Sequence, residues 1–186
     1  MLVLSNMSSP LILITNDDGI HSPGLRYLIK IANKIGKVVV VAPDGPRSAQ
    51  SHAITINSPI TCEKIKIDDG KQLEFICSGT PVDCVKLALS EILDRKPDIC
   101  ISGINHGSNV STNVLYSGTM SAAVEGALEG IPSIGFSLTS YDANADFTPS
   151  IKYVKLIPKD SEAEIKYILL GIDTEFNQIY EVIETG

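Results

Sequence analysis

Two adjacent acids, Asp17 and Asp18, close the apolar run in "LILITNDDGIHSPG". Like charges side by side repel, and burying either one is costly unless something compensates. Either both acids stand in water at a turn before Gly19, or a cation holds them together. The chain supplies more oxygen at comparable places. "KVVVVAP" is followed by Asp44, Arg47 and Ser48, "ISGI" by Asn105 and Asn109, and Ser117, Gly118 and Thr119 stand directly before a helical stretch. Two carboxylates with a hydroxyl and an amide make a hard, all-oxygen donor set. Such a set suits one Mg2+ or Mn2+ ion, and no His/Cys cluster favours zinc. "YSGTMSAA" offers free backbone N–H groups at a helix start, a cradle for phosphate. Capping by Ser117 or Thr119 is the other use of the same residues. "SGTPVD" is a second such start, and there capping alone is expected. His21, His52 and His106 read as loop residues, with His106 singled out because it follows Asn105. No side chain looks like a covalent nucleophile beside its base.

These residues need elements to bring them together. Leu11–Thr15 reads as a short buried strand. Pro23 suits a helix start, Leu25, Leu28, Ile29, Ala32 and Ile35 have helical spacing, and Gly36 ends the helix. "KVVVVAP" is a second buried strand, so the opening is β-α-β with a right-handed crossover. Residues 44–51 form a polar loop. "HAITINSPI", "TCEKIKID" and "KQLEFICSG" read as strands, with a hairpin inserted at one edge of the sheet. "GTPVDCVKLALSEIL" is a helix with Thr80 as N-cap, Pro81 first and Asp83 closing a capping box. "PDICISGI" is a strand, "NHGSNVSTNVLYSG" a long polar loop, "TMSAAVEGALEG" a helix and "IPSIGFSL" a strand. Near the end, "IKYVKLI" and "NQIYEVIE" read as strands, and Ser161 with Glu164 caps a short helix over "IKYILLG". The alternation predicts an α/β fold, a doubly wound, mostly parallel, Rossmann-like sheet in three layers. In such sheets ligands bind beyond the carboxyl ends of the strands, where Asp17, Asp18, Asp44, Arg47, Ser48, Asn105, Asn109, Ser117, Gly118 and Thr119 fall.

Composition bounds the partners. The chain has 186 residues, 44% apolar and 20% charged, with a formal net charge of −7. That is enough for one globular domain, residues 1–186, with a sizeable core. The negative balance argues against binding a nucleic-acid duplex. No apolar run approaches a membrane span, and "MLVLSNMSSP" lacks the pattern of a secretory signal. A cytoplasmic protein with no membrane partner is expected. Cys62, Cys77, Cys84 and Cys100 include no C-x-x-C pair and read as reduced thiols.

Five stretches, "ILITNDDGIHSPGLRYL", "VVVVAPDGPRSAQSHAIT", "SGTPVDCVKLAL", "ISGINHGSNV" and "YSGTMSAAVEGALEGIPSIGFS", together resemble the SurE family of stationary-phase survival proteins. They run in order over about residues 11–140. The resemblance implies a metal-dependent acid phosphatase acting as a 5′/3′-nucleotidase. It also implies a single divalent cation per subunit, held by Asp17, Asp18, Ser48 and Asn105. Where the family usually has a glycine and an acid before "YSGT", this chain has Ser111 and Asn113. After "YDANADF" the family's next helix, strand and long hairpin arm are not recognisable. Residues 148–186 are therefore expected to diverge, packing at the sheet edge in a homodimer of modest interface.

Three functions compete. The first is a phosphomonoesterase acting on nucleoside monophosphates, with metal-activated water attacking phosphorus. Asp17, Asp18, Asn105, Asn109 and Ser117 would carry the chemistry. Asn109, Ser117, Gly118 and Thr119 would hold the phosphate oxygens. The second is a phosphoaspartate protein, a receiver or dehalogenase-type phosphatase. It lacks the further Asp and Lys of a receiver and the D-x-D spacing of the phosphatase. The third is a non-catalytic nucleotide-binding or assembly module.

Overall fold

The structure is a computed structural model and describes residues 9–109, 111–142, 144–154, 167–172 and 179–184. Its strands are β1 (Leu11–Thr15), β2 (Lys37–Pro43), β3 (Cys62–Ile65), β4 (Leu73–Cys77), β5 (Ile99–His106), β6 (Ser133–Leu138), β7 (Tyr167–Ile172) and β8 (Ile179–Glu184). The helices are α1 (Pro23–Ala32), α2 (Pro81–Leu87), α3 (Gly118–Leu128) and α4 (Ser150–Val154). One sheet orders the strands β3-β4-β2-β1-β5-β6-β7-β8. The inner pairs are parallel, and among the described residues only β3–β4 and β7–β8, one at each edge, are antiparallel. This is the doubly wound α/β sheet that the alternation predicts.

The buried strands split their side chains by period two. Ile12 and Ile14 of β1 and Val38 and Val40 of β2 pack with Leu25, Leu28 and Ile29 of α1. Leu11, Leu13, Val39 and Val41 face the other way, against Cys84 and Val85 of α2 and Ala122 of α3. Both faces are covered, so near-continuous apolar runs are what these strands require. From β1 the chain winds out through β2 to β4, then returns to place β5 on the other flank of β1. The reversal lies between β1 and β5, and it opens a crevice at their carboxyl ends. Among the described residues no helix is long and apolar enough to cross a membrane.

Four expectations change. "HAITINSPI" is not a strand. Its backbone is tied to the start of α2 instead: Thr55 donates its N–H and its hydroxyl to Asp83, and Thr80 Oγ1 donates to the Ala53 carbonyl at 2.7 Å. Ile54 and Ile56 of that run are exposed, so the alternation marked no buried face. The start of "IKYVKLI" is helical, as α4, because Ile151 and Val154 lie three apart and turn together onto the core beside α1. Within "IKYILLG", Tyr167–Ile172 is strand β7, hydrogen-bonded in parallel to β6. Ser161 and Glu164, read as its capping box, lie outside the described residues. The polar loop after β5 contains a short 3-10 turn, Ser111–Tyr116. The edge hairpin stands as β3–β4, and the C-terminal segment supplies β7 and β8 to the opposite edge.

Candidate active site

Asn16 opens the turn after β1. Its side-chain amide donates to the Gly19 carbonyl at 3.0 Å and to Ser22 Oγ at 2.7 Å, pinning the turn to the residue before α1. That turn presents Asp17, 4% exposed, and Asp18, half-buried, at the crevice between β1 and β5. Thr119 Oγ1 of α3 donates to Asp17 Oδ1 at 2.5 Å. The backbone N–H of His106, at the end of β5, donates to Asp18 Oδ2 at 3.3 Å. Three elements thus converge on two acids.

Burial pushes the Asp17 carboxyl above its ordinary value, while the Thr119 hydroxyl and the N–H groups of Thr119 and Gly118 pull the other way. Burial, followed by the charge of Asp17, raises Asp18 to about 6. Among the described residues neither acid shares an ion pair with a basic side chain. The close seat of α3 depends on Gly118: a Cβ there would lie 2.6 Å from Asp17 Cβ.

The other predicted residues fall as follows. Asn105 is buried beside the acids, after an irregularity in the β5–β6 register. That irregularity contains Gly103 at φ +126, where a Cβ would also meet the Phe136 carbonyl at 2.4 Å. Such bulges re-aim side chains near functional sites. The Asn105 amide donates to the carbonyls of Gly107 and His106, at 2.9 and 3.3 Å, which leaves Oδ1 as the end able to ligate. Asn109 is buried and donates to Ser137 Oγ at 2.9 Å. Ser117 Oγ accepts from the N–H of Met120 at 3.1 Å, the capping use that the sequence left open. Ser48 is exposed on the loop after β2, and among the described residues its hydroxyl bonds neither acid. The loop itself is fastened at the site, since the Arg47 N–H donates to the Asp17 carbonyl at 2.7 Å. The Arg47 guanidinium is turned away, onto Asp44 and the carbonyls of Ser78 and Gly79.

Two acids that repel, an oriented amide oxygen and a nearby loop hydroxyl fit a hard divalent cation. Among the described residues no group of three or more His, Cys, Asp or Glu side chains could hold a metal. An ion here would therefore rest on two carboxylates and neutral oxygens.

A pocket of about 360 Å³ adjoins Asp18 and is lined also by His21, Pro23, Ile104, His106 and Phe147. No local pattern marks Phe147, whose ring lies 5.5 Å from that of His106. Nor does one mark His52, which reads as a loop residue yet sits 2.6 Å from buried Glu125.

A family model described as Survival protein SurE matches residues 12–181, past residue 140 where the quoted motifs stop. A 5′-nucleotidase SurE of Flavobacterium psychrophilum is 64% identical over 151 residues, 81% of this chain and 59% of that protein. One from Christiangramia forsetii is 59% identical over 156 residues, 83% of this chain and 60% of that protein. The crystal structure of the SurE protein from Aquifex aeolicus superposes with a TM-score of 0.78 at 39% identity, covering 92% of this chain and 68% of that one. The chain spans about three-fifths of the length of the two curated relatives.

Proposed function

Since this chain belongs to the survival protein SurE family, we propose that it hydrolyses nucleoside monophosphates to nucleoside and phosphate at the crevice between β1 and β5. The observation that carries the reading is the pair of sequestered carboxylates, Asp17 and Asp18, at the reversal point of a doubly wound sheet. The curated relatives named 5′-nucleotidase SurE support the substrate class.

One divalent cation, Mg2+ or Mn2+, held by Asp17, Asp18, Ser48 and Asn105, would supply a water of lowered pKa and polarise the phosphoryl oxygens. The protein's own groups do the rest. Thr119 fixes the rotamer of Asp17 through its 2.5 Å bond. The His106 N–H steadies Asp18. Asn109, on the loop after β5, and Ser117, the N-cap of α3, hold phosphoryl oxygens as negative charge grows on them, while Gly118 and Thr119 are turned to Asp17. The pocket beside Asp18 gives the esterified nucleoside a half-apolar bed on Phe147 and Ile104.

The test is phosphate release from a panel of nucleoside monophosphates, with Mn2+ and after EDTA. Turnover should need the metal, and Asp17→Asn should lower kcat by about 100-fold or more, as the loss of a transition-state electrostatic group does. Full turnover after exhaustive EDTA treatment, or no release from any nucleotide with Mn2+ present, overturns the proposal.

A further inference from the structure

Three of the four free thiols gather away from the crevice, on the β3–β4 hairpin and α2. Cys62 of β3 and Cys77 of β4 are direct partners in the antiparallel register. The next pair along the ladder, Thr61 with Ser78, is hydrogen-bonded, since the Ser78 N–H donates to the Thr61 carbonyl at 2.9 Å. Cys62 and Cys77 therefore occupy a non-hydrogen-bonded position, where opposed Cα atoms approach to about 4.5 Å and the side chains come closest. That separation lies inside the range that a disulfide spans.

The three thiols differ in access and in character. Cys62 is half-buried on the edge strand, whereas Cys77 and Cys84 are fully buried. Hydrogen bonding from Cys84 and from the Gly79 N–H, 3.3 Å from Cys77 Sγ, outweighs burial and draws the Cys77 thiol down to about 7. Cys100 lies apart on β5, and burial pushes it up to about 12. Burial, and then Cys77 beside it, push the Cys62 thiol up, so Cys62 is set apart by its access to solvent, while its cross-strand neighbour Cys77 is the one most readily ionised.

We infer that Cys62 and Cys77 form an oxidation site that closes to a cross-strand disulfide on exposure to a hydroperoxide. The Cys62 thiolate attacks the peroxide, the O–O bond breaks, an alcohol or water leaves and Cys62 becomes a sulfenic acid. The Cys77 thiolate then attacks Cys62 Sγ. The S–S bond forms, the S–O bond breaks, and the departing hydroxide takes a proton to become water. Two thiols and one hydroperoxide thus give one disulfide, one alcohol or water, and one further water. The bond would staple the edge hairpin just before Ser78 and Gly79, whose carbonyls hold the Arg47 side chain of the loop that bears Ser48.

The experiment treats the whole chain with limiting hydrogen peroxide, alkylates the remaining thiols and maps tryptic peptides by fragmentation. Cys62 falls in the peptide 48–64, and Cys77 and Cys84 share the peptide 72–86, so fragmentation must place the link. The expected result is a Cys62–Cys77 cross-link, a drop from four titratable thiols to two, alkylated Cys84 and Cys100, and full reversal by dithiothreitol. Cys84→Ser should still form the link, and Cys62→Ser should form none. A Cys77–Cys84 link, a Cys62–Cys62 link between chains, Cys62 over-oxidised beside an alkylated Cys77, or four surviving thiols each overturn the inference.

Discussion

The tripeptide Ser-Gly-Thr opens two helices of this chain, at residues 78–80 and 117–119, and its members take different places in each. At α2 the threonine is the N-cap. Thr80 Oγ1 accepts from the Asp83 N–H at 3.1 Å, and Asp83 Oδ2 accepts from the Thr80 N–H at 2.8 Å, a closed capping box. At α3 the frame slips back, so that Ser117 is the N-cap and the third helical residue is Met120, which cannot close a box. The acid at that helix start comes from elsewhere: Asp17, at the end of β1, takes the Thr119 hydroxyl. The two acids are also tuned apart. At Asp83 burial is outweighed by hydrogen bonds from Thr55 and Thr80, which hold it below the ordinary carboxylate range. At Asp17 burial wins. A helix start with its own acid is sealed into structure; one without is left to serve an acid that belongs to the crevice.

The sharpest way to break this contrast is to add one methyl group to each glycine. Gly118→Ala drives a Cβ to 2.6 Å from Asp17, and displacement of about 1 Å at a reacting centre can cost about 100-fold in rate. Gly79→Ala meets Asp83 Cβ at 2.7 Å, so it should lose about 1–3 kcal/mol of stability yet keep turnover per folded molecule within about tenfold of wild type. Equal loss of kcat in both, measured on protein shown folded by circular dichroism, would end the comparison.

A smaller effect is expected from the hydroxyls. Thr119→Val removes the bond to Asp17 and should lower kcat by about tenfold, the worth of one hydrogen bond to a charged group. Thr80→Ala should leave kcat alone and cost about 1 kcal/mol of unfolding free energy, read from urea titration.

The mildest probe is pH. Asp83 is held below its ordinary value, so its stabilising contribution is complete at neutral pH and is lost as pH falls below about 4, through the lowered value. The gap in Tm between wild type and Asp83→Asn should be widest near neutrality and close on acidification. A gap that does not change with pH would mean that the carboxylate charge is not what caps α2.

The same contrast explains what the sequence could and could not tell. β1, β2 and β5 were legible because strands buried on both faces need unbroken apolar runs, and β-branched residues fill them. The α2 cap was legible because Thr80 and Asp83 stand three apart in one helix. Asp17 and Asp18 were legible as a charge conflict, and Asn105 as polar residue at a strand end. Thr119 was found but given to phosphate, whereas its hydroxyl turns to Asp17, because nothing local shows which of two oxygens will meet a helix start. His52 with Glu125, 73 positions apart, and Phe147 on its pocket are products of packing and leave no local pattern. "HAITINSPI" misled because alternation reports a face, and the tether to Asp83 left that face in solvent.

The bond between Thr119 and Asp17 has a consequence in time. It joins residues 102 positions apart, and β1 has its second neighbour only when β5 arrives, Ile12 opposite Ile99. At a synthesis rate of about 5–20 residues per second, the acids precede the helix by about 5–20 s. A growing chain can close the β1–β2 pair within that interval, but the crevice lacks one wall. Asp17 and Asp18 meanwhile stand toward water, where the dielectric and salt mute their repulsion. The wall that finally excludes water from Asp17 is the same helix that brings the Thr119 hydroxyl and two N–H groups to its carboxylate. Close packing on Asp17 and the hydrogen bonds that offset its burial are therefore delivered by one element, in one docking event.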